Sequence, residues 1–158
     1  MTVPMQLTYI SEVSMITKTN LHKILNEVEW IDSIIGVVGV LIIVGAALFV
    51  QFFLHEQPCP LCELQRVAFL NIGIALLMNV RYGNKASHWG MVILSACAGL
   101  AVSIRQICLH ITTPQGFGDA FSGLHMYSWC FIGFSIAIVG SSIMLLIYPE
   151  RKKIQAII

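Results

Sequence analysis

The chain has 158 residues, 57% of them hydrophobic and 11% charged, against the quarter or so of charged residues in an ordinary soluble domain. A net charge of +1 with few Lys and Arg leaves no basic surface for a nucleic acid and no field to steer a charged partner. The composition is that of a membrane protein.

Residues 1–32 are mixed in character. Leu21, Ile24, Leu25, Val28 and Ile31 recur at helical spacing, which predicts a short interfacial helix ahead of the first span. An alternative start at Met15 suits the same pattern.

Four apolar stretches follow, about Ser33 to Leu54, Cys62 to Val80, Trp89 to Leu109 and Trp129 to Tyr148. Each is close to the ~20 residues needed to cross the hydrocarbon core. The first begins too far into the chain, runs too long and lacks a small-residue cleavage site before Gln51, so a cleaved signal peptide is not expected. The second carries Glu63, Gln65 and Arg66, clustered at one end where they can reach the interface.

Lys18 and Lys23 precede the first span, Arg81 and Lys85 lie between the second and third, and Arg151, Lys152 and Lys153 follow the fourth. The connections His55 to Leu61 and His110 to Ser128 contain neither Lys nor Arg. The positive-inside rule therefore places both termini and the middle connection in the cytoplasm. The expected fold is all-α, an integral membrane four-helix bundle over residues 33–148, with 149–158 a cytoplasmic tail.

Small residues recur every fourth position, Ser95, Gly99 and Ser103 on the third span and Gly133, Ala137 and Ser141 on the fourth. Such stripes let helix backbones approach closely in lipid. In the longer outer connection, Pro114, Gly116, Gly118 and Gly123 surround Phe117, Ala120, Phe121 and Leu124, a short amphipathic segment expected to lie on the membrane.

The chemistry concentrates at Pro58-Cys59-Pro60-Leu61-Cys62-Glu63-Leu64-Gln65-Arg66. Two thiols three positions apart can close a small disulfide ring and exchange two electrons. A helix starting at Cys62 would put Cys62 and Arg66 on one face, where the helix N-terminus and the guanidinium both favour the reactive thiolate. The topology sets this pair outside the cytoplasm, in a compartment that permits disulfides.

Two readings compete with redox exchange. A structural disulfide over so small a loop constrains the unfolded chain little. A zinc site would recruit His55, His110 or His125, but the sequence lacks the paired His spacing that usually accompanies one; no resident metal is expected.

Arg105 is the other arginine at the outer side, suited to snorkelling or to a buried partner, and Asn71 suits a hydrogen bond between helices. Cys97 reads as a small core residue. Cys108 and Cys130 lie near the outer ends of their spans at similar depth and are a candidate second redox pair.

These residues resemble the DsbB-type disulfide bond formation proteins of bacterial inner membranes, over about Ile34 to Tyr148. The most specific part is Cys-Pro-Leu-Cys-x-x-Gln-Arg, residues 59–66. Arg105-Gln106 and Gly123-Leu124-His125-Met126, similar to the family's Gly-Leu-Glu-Met segment, support it. The resemblance implies a thiol:quinone oxidoreductase that passes electrons from a periplasmic thioredoxin-fold thiol oxidase, DsbA-like, to ubiquinone or menaquinone. It implies Cys59 and Cys62 as the catalytic pair, Cys62 beside the quinone ring and Cys59 the sulfur open to attack. Arg66 would bind the quinone by polarising a carbonyl, and His110 lies near where the family places polar residues by the quinone.

The departure from the family is in the last outer loop. Family members carry a second cysteine pair there, whereas residues 110–128 contain no cysteine. The partner then meets Cys59 directly or a nonstandard Cys108–Cys130 relay. A non-catalytic binding or assembly protein, and a reductant-delivery protein running the same dithiol in reverse, are the alternatives from the residues alone.

Overall fold

A computed structural model describes residues 3–53, 59–111, 120–121 and 123–157, with side-chain surroundings for all of these except 3–14, 22, 120–121 and 149–157. His55, Pro114, Gly116, Phe117 and Gly118 lie outside the described residues. Four long helices account for the architecture: α1 (Val3–Phe53), α2 (Pro60–Tyr82), α3 (Ala86–His110) and α4 (Met126–Ile157). All four contain a stretch long and apolar enough to cross a membrane, Met15–Phe53, Pro60–Tyr82, Ala86–His110 and Met126–Tyr148. The molecule is an all-α membrane bundle.

The interfacial helix expected before the first span is not a separate element. No proline or glycine occurs from Met5 to Ile35, so nothing interrupts the hydrogen-bond ladder and α1 runs unbroken through both regions. At the other end, α4 continues past Tyr148 and Pro149 to Ile157.

Helix α2 has a well-defined start. Cys59 is its N-cap, extended at φ −74° and ψ 154°, as the residue before a proline must be. Pro60 fills the first helical position, where its missing N–H costs nothing. At the far end Gly83, at φ 78°, turns the chain towards α3.

Lipid tails are as apolar as the core, so association between the helices comes from close packing and from hydrogen bonds. The core joins Val40 of α1, Phe69, Ile72 and Leu76 of α2, Trp89, Val92 and Ala96 of α3 and Phe134 of α4. Phe69 and Phe134 stack with centroids 4.1 Å apart. The small-residue stripes do what their spacing predicts. A Cβ on Gly99 would collide with the Phe134 ring, and one on Gly133 would sit 3.3 Å from Phe69 Cζ. Leu94, Ile136 and Leu146 are exposed on the outer faces, as lipid contact requires.

Asn71 is exposed rather than held between helices. It lies one position before the buried Ile72 and so falls off the packed stripe.

Polar stitches close the bundle at the end away from the cysteines. Asn84 Nδ2 donates to Glu29 Oε2 at 2.8 Å, and His88 Nδ1 meets Asn79 Oδ1 at 2.9 Å. Glu29, Asn79 and His88 are buried, and charged or polar groups at that depth require such partners.

Ala120, Phe121 and Leu124, expected in an amphipathic segment on the membrane, instead belong to a minimal antiparallel pair. β1 (Ala120–Phe121) runs against β2 (Leu124–His125), Phe121 opposite Leu124. Gly123, at φ 82°, permits the reversal.

Candidate functional site

The two cysteines of the motif sit at the start of α2, and the helix start itself brings them together. Cys59 Sγ accepts a hydrogen bond from the backbone N–H of Cys62 at 3.1 Å. The backbone N–H of Glu63 reaches Cys59 O at 3.2 Å. Sulfur thus takes the place that a serine or aspartate oxygen holds in an ordinary N-cap. The expectation that Cys62 starts the helix is corrected: Pro60 does, and Cys59 caps it, because a proline at that point can only begin a helix. Both thiols are half-buried and free.

Burial holds the Cys59 thiol above its ordinary range, and the side-chain hydrogen bond with Cys62 adds to that; backbone N–H groups of Cys62 and Leu61 pull the other way without prevailing.

A chain of amides lies behind the sulfurs. Gln106 Nε2, on α3, is 3.4 Å from Cys62 Sγ and 3.5 Å from Cys59 Sγ. Gln65 Nε2 donates to Gln106 Oε1 at 3.1 Å and to Ser103 Oγ at 3.1 Å. Ser103 Oγ in turn donates to Gly99 O at 3.0 Å. Gln65, Ser103 and Gln106 are all buried.

Arg66 is half-buried and directed to α1. Its guanidinium donates to Gln51 Oε1 and, at 3.1 Å, to Ala47 O. With five N–H donors, two bonds leave it capacity for a further acceptor.

The cysteines expected as a second pair differ in burial. Cys108 is exposed, two residues past Gln106 and so on the opposite face of α3. Cys130 is half-buried, packs against the core and lies within electrostatic range of Cys62 and Arg66. Cys97 is exposed on α3 rather than in the core, since the packed stripe there runs through Ala96 and Gly99. Arg105 is exposed beside the buried Gln106.

An aromatic group closes this end. His110 Nδ1 bonds Gln106 O at 2.8 Å. The His110 ring stacks on buried Tyr127, centroids 5.6 Å apart, and His125 on the same Tyr127 at 5.3 Å. Among the described residues, no group of three or more His, Cys, Asp or Glu side chains gathers as metal ligands would.

Gln51 and Ser103, and the roles of Gln65 and Gln106, escape a reading of the motif alone. One signal existed. The stripe Ser95, Gly99, Ser103 continues at helical spacing into Gln106 and His110, so its polar end had to face a neighbouring helix.

A family model described as "Disulfide bond formation protein DsbB" matches residues 33–120. The chain belongs to the DsbB family. Similar curated relatives carry the name "Disulfide bond formation protein B". That of Cupriavidus necator is 46% identical over 77 residues, 48% of either chain. That of Chromobacterium violaceum is 44% identical over 70 residues, 42% of either chain. "Disulfide bond formation protein B 2" of Burkholderia lata is 33% identical over 97 residues, 61% of this chain and 56% of its own. The chain thus matches about half the length of such relatives. No solved structure matches it.

Proposed function

We propose that this protein is a membrane thiol:quinone oxidoreductase that forms disulfides through Cys59 and Cys62. The observation that carries the reading is the capped dithiol itself: two free, half-buried sulfurs at a helix N-terminus, in a membrane bundle of the DsbB family. The charge distribution supports an inner-membrane orientation with both termini cytoplasmic and the pair facing the periplasm. Residues 33–148 form the working domain in this account, with 1–32 and 149–158 its cytoplasmic ends.

The partner is a reduced thiol oxidase of thioredoxin fold in the periplasm. Its thiolate attacks Cys59 Sγ of the Cys59–Cys62 disulfide and the S–S bond breaks. Attack on Cys59 makes Cys62 the departing sulfur, and it leaves as the thiolate. The partner's second thiolate then displaces Cys59, and the partner departs oxidised. Two electrons and two protons remain on the pair.

A ubiquinone or menaquinone held here would supply the two-electron acceptor that returns Cys59 and Cys62 to the disulfide. The residues present fit such a group: Cys62 supplies the sulfur and Arg66 retains donors for a carbonyl. Arg66, fixed by Gln51 and Ala47, favours negative charge on an oxygen placed against it. Direct attack on Cys59 is favoured over a Cys108–Cys130 relay because Cys108 is on the outward face of α3.

The test is turnover. Purified protein in detergent, given reduced thiol oxidase and a soluble quinone, is expected to reduce the quinone. Cys59→Ser and Cys62→Ser should each lower the rate by at least a thousandfold, while the Cys108→Ala/Cys130→Ala double variant retains partner oxidation. Turnover surviving in Cys59→Ser or Cys62→Ser would overturn the reading. Tight metal retention without turnover would favour a binding protein instead.

A further inference from the structure

The amide chain behind the sulfurs has a fixed direction, and every hydrogen in it can be assigned. A backbone carbonyl only accepts, so Ser103 uses its single proton on Gly99 O. Ser103 Oγ then accepts, and the group facing it must be the NH2 of Gln65. The second hydrogen of that NH2 goes to Gln106, which presents its oxygen there. Gln106 therefore turns its own NH2 to the cysteines, with one hydrogen for each sulfur, at 3.4 and 3.5 Å. Gln106 is buried from solvent at 1% exposure, so its amide has the sulfurs rather than bulk water before it.

A thiolate is a much stronger hydrogen-bond acceptor than a disulfide sulfur, because it carries a full charge. Gln106 therefore stabilises whichever sulfur of the reduced pair is ionised, and gives the disulfide no comparable support. We infer that Gln106, locked in this orientation by Gln65, Ser103 and the Gly99 carbonyl, sets the Cys59–Cys62 couple towards the dithiol and so makes the disulfide a stronger oxidant. The inference rests on the reading of Cys59–Cys62 as the redox pair. Gln106 touches the reacting sulfurs; Gln65 and Ser103 are positioning residues that act through it. Arg66, bound to α1, acts from a different side.

Equilibration with glutathione buffers isolates the effect. Reducing the pair breaks the Cys59–Cys62 S–S bond and transfers two electrons from two glutathione thiols, which leave as glutathione disulfide, their protons passing to the pair or, where a sulfur stays ionised, to the buffer. The fraction reduced is read by alkylation and peptide mass. Gln106→Met keeps a side chain of similar length and removes both donors. Gln106→Glu keeps an oxygen for Gln65 while also removing them, and stands as the second variant if the first does not hold its fold. Both are expected to shift the equilibrium towards the disulfide at least tenfold, which is about 30 mV for a two-electron couple. Ser103→Ala frees Gln65 and Gln106 to turn and is expected to shift it partway. An equilibrium within twofold of wild type in a folded Gln106 variant would overturn the inference.

The assay contains neither quinone nor thiol oxidase. A normal couple that never reduces quinone would sink the proposed function and leave this inference standing. Quinone reduction with an unchanged couple in the Gln106 variants would do the reverse. A wild-type pair that never closes a disulfide overturns both.

Discussion

Cys59 is a helix cap and, in the proposed function, also a redox sulfur. Capping requires an acceptor at that position, which sulfur supplies to the Cys62 N–H; redox chemistry requires access, and the residue is only half-buried. Burial, ahead of the hydrogen bond with Cys62, raises its thiol pKa. Since the thiolate is the nucleophile, a raised pKa means that reactivity keeps climbing above the pH at which an ordinary thiol has already ionised. In the fully reduced protein, alkylation of Cys59 by iodoacetamide, resolved by peptide mass, is expected to rise without a plateau beyond about pH 8.5, the free-thiol value. A plateau at or below that pH would show that the helix N-terminus outweighs burial. The motif made Cys59, Cys62 and Arg66 legible as a group, but not which sulfur would cap the helix. Gln106 was visible only as one half of Arg105-Gln106, because its partner sulfurs lie more than forty positions earlier on another helix.

At the scale of the helices, the four spans follow from hydropathy alone, since each needs about 20 apolar residues and little else. Their pairing follows from the small-residue stripes. Where the reading differed from the structure, short-range signals were weak: the start of α1 contains no breaker to separate an interfacial helix from the span. Residues 120–121 pair with 124–125 because a left-handed Gly123 reverses the chain. Glu29 was not legible as a buried residue, because its partner Asn84 lies in the distant connection between α2 and α3. Among the described glycines the tightest approach is at Gly99, where the Phe134 ring fills the space a side chain would take. Gly99→Val should therefore destabilise the bundle by about 1–3 kcal/mol through overpacking. Gly90→Ala, on the same helix with open space around it, should be near neutral. Denaturant unfolding in detergent measures both, and equal stability of the two variants would refute the packing account.

Taken whole, the molecule keeps polar groups at its two ends and an apolar, glycine-permitted core between them. One end stitches α1 to the connection between α2 and α3 through Glu29 and Asn84. The other sets the cysteines on α2, the amides across α2 and α3, and Arg66 against α1. Packing thus fixes the geometry of a site to which three helices contribute. In the proposed function, the absence of cysteine from residues 110–128 would place the demand for both halves of the reaction, partner and quinone, on the single pair Cys59–Cys62. That is the central claim, and a single-turnover experiment tests it without any partner. Fully reduced protein, freed of reductant under anaerobic conditions, is mixed with one equivalent of soluble quinone, and the remaining thiols are mapped by alkylation. The account predicts loss of two thiols per quinone reduced, at Cys59 and Cys62, with Cys97, Cys108 and Cys130 still alkylated. Quinone reduced at the cost of Cys108 and Cys130, or all five thiols retained with the quinone unchanged, would contradict it.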